Sequence, residues 1–176
     1  MTTRGLSVQR KPVDGAVEPV TIEDLKLHLA IDSNDHDDLL NKLLPAARLR
    51  IEKYIGLSLI ESDLKVRWEE LTSDDLPYGP VLSEVNVEGS DDCSFEGFIG
   101  AHMRIVANSS SPITVTYRAG FEDGIEEDLQ LAIMKLATDN FSKREGFSIT
   151  GNDSAKPLPN DWKSTAAPYS VKSWFL

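Results

Sequence analysis

DHDDLLNKLLPAARLRIEKYIG, residues 35–56, is the longest stretch with a single helical period. Leu40, Leu43, Leu44, Ala47, Ile51, Tyr54 and Ile55 fall at offsets 0, 3, 4, 7, 11, 14 and 15, one stripe of a helix. Asp35, Asp37 and Asp38 occupy its first turn, where the partial positive charge of a helix start favours carboxylates. Arg48, Arg50 and Lys53 lie towards its end, and Gly56 is placed to terminate it. Pro45 sits inside, where a missing N–H costs roughly 3 kcal/mol and bends the rod. Leu39, Ala46 and Leu49 lie off the main stripe, so the apolar surface is wider than one core contact needs. A bent, deeply buried core helix accounts for this. So does a helix packed on its own domain on one side and on a neighbouring subunit on the other, which makes Leu39, Ala46 and Leu49 candidate interface residues.

Around this helix, 176 residues allow one ordinary domain with extended arms. Apolar residues at 40% and charged residues at 27% support a packed core and argue against global disorder. No apolar run approaches the roughly 20 residues that span a bilayer, so no membrane partner is expected. MTTRGLSVQRKPVDG, residues 1–15, lacks an apolar h-region, so no secretory signal is expected. The single cysteine, Cys93, excludes an intrachain disulfide and a cysteine-rich zinc site, which suits a protein made in a reducing cytoplasm. A net charge of −11 disfavours sequence-independent grip on nucleic acid. It fits simple solubility, and it fits a surface past which DNA slides without sticking.

Taken in order, residues 1–18 mix Gly, Pro, Ser and basic residues without a period and read as an arm. Residues 21–30 follow as a short helix. Thr21 is a good N-cap, Asp24 approximates a capping box, and Ile22, Leu25, Leu27 and Leu29 supply the apolar positions. After Gly56 the period drops to two. Leu64, Val66 and Trp68 form one half-buried strand, and Val81, Ser83, Val85 and Val87 a second. Residues 103–107 and then Ile113, Val115, Tyr117 and Ala119 give a third and fourth. The stretches 72–80 and 88–93 are turns. Short polar links between the strands imply an antiparallel region over 58–120. Helical period returns at 125–145 through Leu129, Ala132, Ile133, Leu136 and Ala137, with acids at its start and Gly146 after it. The expected fold class is therefore α+β: two long packed helices and a short N-terminal helix, an inserted small antiparallel β region, and an extended C-terminal arm over 147–176.

Catalytic signatures are absent. There is no GxSxG, HExxH, GxxxxGK[ST] or GxGxxG. His28, His36 and His102 are scattered. An EF-hand loop beginning at Asp32 would place Asp37 where glycine is required and Leu43 where glutamate is required, so a solvated helix start is the better reading of those acids. Asp123, Glu126, Glu127 and Asp128 could offer a carboxylate pair, but helix-start electrostatics explains them without chemistry. Trp68 and Trp162 lie in no basic patch, so core or interface packing is preferred to base stacking. No metal and no cofactor is expected. The last 30 residues carry Pro157, Pro159 and Pro168, which block a long helix. Yet Trp162, Tyr169, Val171, Trp174, Phe175 and Leu176 make the segment too apolar for a solvated tail, and with Pro168 they are the candidate docking residues.

EPVTIEDLKLHLAID at 18–32, the helix carrying Ala47, Arg48, Ile51, Glu52, Tyr54 and Gly56, VTYRAGF at 115–121 and the acid-started helix after it, in that order, resemble the head–tail connector (adaptor, or head-completion) proteins of tailed bacteriophages and of gene transfer agents. The resemblance covers roughly residues 18–145. It implies a ring of typically twelve copies beneath the portal protein, joined below to the next neck or tail-completion protein, with DNA passing through unbound. It implies a place in the virion neck after synthesis in the host bacterial cytoplasm, and no catalytic site. On this reading residues 1–18 are an N-terminal arm, 19–146 the connector domain with helices 21–30, 35–55 and 125–145, and 147–176 an arm docking on the portal or a neighbouring copy. The competing readings are a cytoplasmic binding or regulatory module and a small hydrolase using two carboxylates from 123–128.

Overall fold

A computed structural model of the chain describes residues 5–97, 103–142 and 162–170. The elements in order are β1 (Ser7–Pro12), α1 (Ile22–Leu29), α2 (Asp37–Ile55), β2 (Ser62–Trp68), β3 (Leu71–Asp75) and β4 (Asn86–Glu88). They continue with β5 (Cys93–Glu96), β6 (Arg104–Ser109), β7 (Ile113–Ala119), α3 (Glu127–Ser142), α4 (Trp162–Ala166) and a 3₁₀ turn at Ala167–Tyr169. Two units interleave in sequence: Met1–Val17 with Gly56–Gly124, and Glu18–Ile55 with Ile125–Leu176.

The β unit contains two antiparallel sheets, ordered β1-β2-β7-β4 and β3-β6-β5. The alternation of Leu64, Val66 and Trp68 with Lys65 and Arg67 puts the apolar set on one face, as a period of two requires. Register aligns Val8, Val66, Val115 and Val87 in one row across the first sheet. Slipping any strand by one residue would turn that row out to water, so the register is strongly specified. Trp68 is fully buried, and its indole N–H donates to Asp74 Oδ2 at 2.8 Å. The Tyr117 hydroxyl donates to the Pro77 carbonyl, and burial, with Tyr78 adding to it, pushes that hydroxyl's pKa well above its ordinary value. At Gly120, φ is +143°, and a Cβ there would lie 2.7 Å from the backbone of Ile60 and Glu61, so only glycine fits.

In the helical unit, Thr21 caps α1 and Asp24 returns the bond, completing the box read from the sequence. Leu25 is the buried residue of α1, whereas Leu27 is 83% exposed, so Leu27 does not belong to the core stripe. Helix α2 runs through Pro45 without a break and packs along α3. Leu40, Leu44, Ala47, Ile51 and Ile55 are buried on α2, and Leu129, Ala132, Ile133, Leu136 and Ala137 on α3. Short α4 packs on α3, and Lys135 Nζ donates to Thr165 Oγ1 at 3.0 Å.

The mixed helical and antiparallel architecture is as expected. Several elements are not. The turn-rich stretch 72–80 supplies part of β3, 88–93 runs into β5, and the arm contains β1. The strand expected over 81–87 shrinks to β4, with Val81 making only an isolated bridge to Ala119. The C-terminal segment is not wholly extended, since α4 and a 3₁₀ turn form within it. Residues 143–161 and 171–176 lie outside the described residues, and so does the end of the helix expected to 145.

Candidate functional site

On α2, successive side chains advance about 100° around the axis. Measured from the buried stripe, Leu39, Lys42, Leu43, Ala46, Leu49, Arg50 and Lys53 gather on a second face, roughly 200° away. Leu39 and Leu43 are half-buried, while Lys42, Ala46, Arg50 and Lys53 are exposed and Leu49 is 42% exposed. The off-stripe residues Leu39, Ala46 and Leu49 therefore share one face, and that face also carries cations. The sequence reading placed Tyr54 and Leu43 in the core stripe; Tyr54 is 40% exposed and Leu43 lies at the stripe's margin.

The two flanks of this face are fixed differently. On one, Arg48 and Glu52 are buried, with Arg48 Nη1 donating to Glu52 Oε2 at 2.9 Å. The same guanidinium grips Glu18 through Nε at 2.7 Å and Nη2 at 3.0 Å, a two-pronged bond that pins the chain ahead of α1 to α2. Burial alone would lower the pKa of Arg48; the bond to Glu18 and the charges of Glu52 and Glu18 outweigh it, so the group is held more firmly protonated than usual. On the other flank, Trp162 meets Tyr54 edge to face at 5.3 Å between ring centroids, and Arg50 lies over the indole at 5.9 Å.

The expected C-terminal docking residues are placed as follows. Trp162 is only 7% exposed and packs within its own unit. Pro168 is exposed and Tyr169 is half-buried; partial burial and then the nearby charges of Asp128 and Glu126 raise the pKa of its hydroxyl. Val171, Trp174, Phe175 and Leu176 lie outside the described residues.

Of the acids considered for metal binding or catalysis, Asp37 serves local structure. Asp37 pairs with Lys26 at 3.0 Å, and His36 stacks edge-on against Phe141 at 5.4 Å. Among the described residues, no group of three or more His, Cys, Asp or Glu could hold a metal ion, and no helix is long and apolar enough to cross a membrane. In the β unit, a shallow groove of about 480 Å³ lies over the outer face of the first sheet, with Lys11, Lys65 and Arg118 beside Asp63 and Glu84. Its charges are mixed, and Arg118 is paired with Asp63 at 3.2 Å.

What the geometry presents is thus a helix face that is both apolar and basic, with Leu49, Lys42, Ala46 and Lys53 exposed among the described residues and Arg50 resting at its margin on Trp162. Residues 19–78 match the family described as Phage gp6-like head-tail connector protein. The matched segment, which takes in α1, α2, β2 and β3, lies within the stretch on which the sequence resemblance was drawn. No curated protein matches the chain significantly. Among solved structures, a chain described as "Neck of empty GTA particle computed with C6 symmetry" is 18% identical with a TM-score of 0.63, covering 92% of this chain and 95% of its own. A chain of the "Virion of native gene transfer agent (GTA) particle" gives 18% and 0.62, covering 92% and 94%. One from the "Neck of native GTA particle computed with C12 symmetry" gives 18% and 0.58, covering 85% and 87%. The likeness in fold extends over both units, well beyond the matched segment.

Lys42, Arg50 and Lys53 were not singled out from the sequence as part of the surface. Their signal was there, because they fall three or four residues from Leu39, Ala46 and Leu49.

Proposed function

We propose that the protein is a structural head–tail connector subunit. Copies form a ring in the virion neck, beneath the portal protein and above the next neck or tail-completion protein, and DNA passes through the ring. The observation that carries this is the likeness over 92% of the chain to a neck chain of a gene transfer agent particle, together with the connector segment at 19–78. The C12 symmetry of a similar neck supports twelve copies. The second face of α2, with Leu39, Ala46 and Leu49, is the lateral contact: a soluble chain with apolar side chains spread along one helix face gains by covering them. The net charge of −11 suits a wall that repels the DNA it encloses. The role is one of assembly, which the likeness to neck chains and the match at 19–78 support.

The C-terminal segment docks on the portal. Its candidate contacts are Pro168, Tyr169, Val171, Trp174, Phe175 and Leu176; Trp162 anchors the base of the segment on the subunit itself. The test is truncation after Ser170, which keeps α4 and its packing. The shortened protein is expected to keep a cooperative melt but to stop co-sedimenting with portal-bearing particles. Unchanged sedimentation sinks the docking role. Absence of rings in negative-stain images of the full chain, alone and on such particles, sinks the connector reading.

A further inference from the structure

A ring of more than two copies about one axis cannot be built from a patch that pairs with itself. Each copy must present two different, complementary surfaces. The second face of α2 is one of them, and its chemistry defines the other: it needs an exposed apolar side chain set among carboxylates. Helix α1 has that composition. On the side opposite buried Leu25, at about 100° per residue, lie Glu23 and Leu27, one turn apart. Leu27, at 83%, is the most exposed of the large apolar side chains among the described residues. Asp32 and Asp35, exposed in the link to α2, add charge of the same sign.

The two patches also lie apart on the subunit. Lys26 of α1 bonds Asp37 on the flank of α2 where Arg48 and Glu52 sit, so α1 leaves the second face of α2 uncovered. One copy can therefore use both at once.

We propose that in the assembled ring the α1 face carrying Glu23 and Leu27 seats on the second face of α2 in the next copy. Leu27 packs among Leu43, Ala46 and Leu49, and Glu23 faces Lys53 or Lys42. The occupant of the α2 face is thus a second copy of this chain, bound head to tail. This rests on the ring reading above and adds which surface meets which. The apolar centre supplies attraction, and the opposed charges choose the partner surface and exclude the symmetric pairing of two α2 faces, which would bring like charges together.

The experiment uses the full chain with Cys93→Ser as background. Leu27→Cys and Leu49→Cys are made separately, mixed, assembled and treated with a short bismaleimide. The mixture is expected to yield a cross-linked pair containing one of each variant, and neither variant alone is expected to cross-link. Self-linking of Leu49→Cys, equal in yield to the mixed product, overturns the proposal in favour of a symmetric contact. Rings without any mixed product overturn it as well. A mixed product without rings keeps the pairing and removes the ring reading. Charge reversal gives an independent measure by sedimentation: Glu23→Lys and Lys53→Glu are each expected to weaken association about 10-fold, and the double reversal to recover most of it. Two single losses without recovery in the double variant also count against the pairing.

Discussion

At the scale of single residues, two buried polar groups set testable limits on stability. The Tyr117 hydroxyl is buried against the Pro77 carbonyl, and its pKa is raised above the ordinary value of about 10. A group whose folded pKa is raised contributes stability that is fully present below the unfolded pKa and is lost as pH rises through the folded one. The β unit is therefore expected to weaken above about pH 10. Tyr117→Phe should cost about 1 kcal/mol at neutral pH and flatten that alkaline loss, as read from urea midpoints at a series of pH values. An equally steep loss in the variant would clear Tyr117 of the effect. In the helical unit, Arg48→Ala takes away the guanidinium that faces the fully buried Glu52 carboxylate, and about 3–5 kcal/mol is expected to go with it. Replacing both, as Arg48→Met with Glu52→Leu, should cost less than the single change, because the fully buried carboxylate goes with its partner and only the more exposed Glu18 loses its bond. Thermal melts of the two variants decide this.

At the scale of elements, the long amphipathic helices were legible because their burial is one-sided and their period is long. Leu129, Ala132, Ile133, Leu136 and Ala137 declare α3, and the capping pair Thr21 and Asp24 declares α1. The missed strands are those whose burial is shallow. In β1 only Val8 brings a large aliphatic side chain to the core, because an edge strand needs less. In β3, Asp74 takes an inward position where strand rules ask for an apolar residue, and it is satisfied by the indole of Trp68, a partner no local pattern reveals. The α2 surface was half legible: spacing exposed Leu39, Ala46 and Leu49, whereas the exposure of Leu27 depends on which side of α1 the rest of the unit covers. In the C-terminal segment, composition distinguishes an apolar stretch from a polar one but not its own core from another's, so the packing of Trp162 on Tyr54 is not legible in the sequence. Trp162→Ala should accordingly remove about 3 kcal/mol from the helical unit by emptying the space beside Tyr54. A chemical denaturation curve that does not move would return Trp162 to the docking set.

At the scale of the whole molecule, the proposed ring would turn modest contacts into a stable object, because each copy would be held on two sides. Leu49→Glu places a carboxylate in the middle of the second α2 face. It should abolish or strongly weaken rings in light scattering while leaving the far-ultraviolet circular dichroism within a few per cent, since Leu49 lies outside the buried stripe. Unchanged assembly would take α2 off the list of contacts. Because the apolar part of the surface is small and its charges exposed, assembly should also loosen as salt shortens the reach of those charges, to about 3 Å at 1 M.

The interleaving of the two units has a consequence for the order of events at the ribosome. Helix α2 ends at Ile55, but α3, against which its buried stripe packs, begins only at Glu127. At about 5–20 residues per second, translation leaves α2 without that cover for roughly 4–14 s. Throughout that interval both of its apolar faces are open, the one that packs on α3 and the one proposed to meet the next copy. Nascent chains on neighbouring ribosomes are then most exposed to mispairing, and the lysines and arginine on the second face, with the acids on α1, repel wrong encounters before the tertiary fold can.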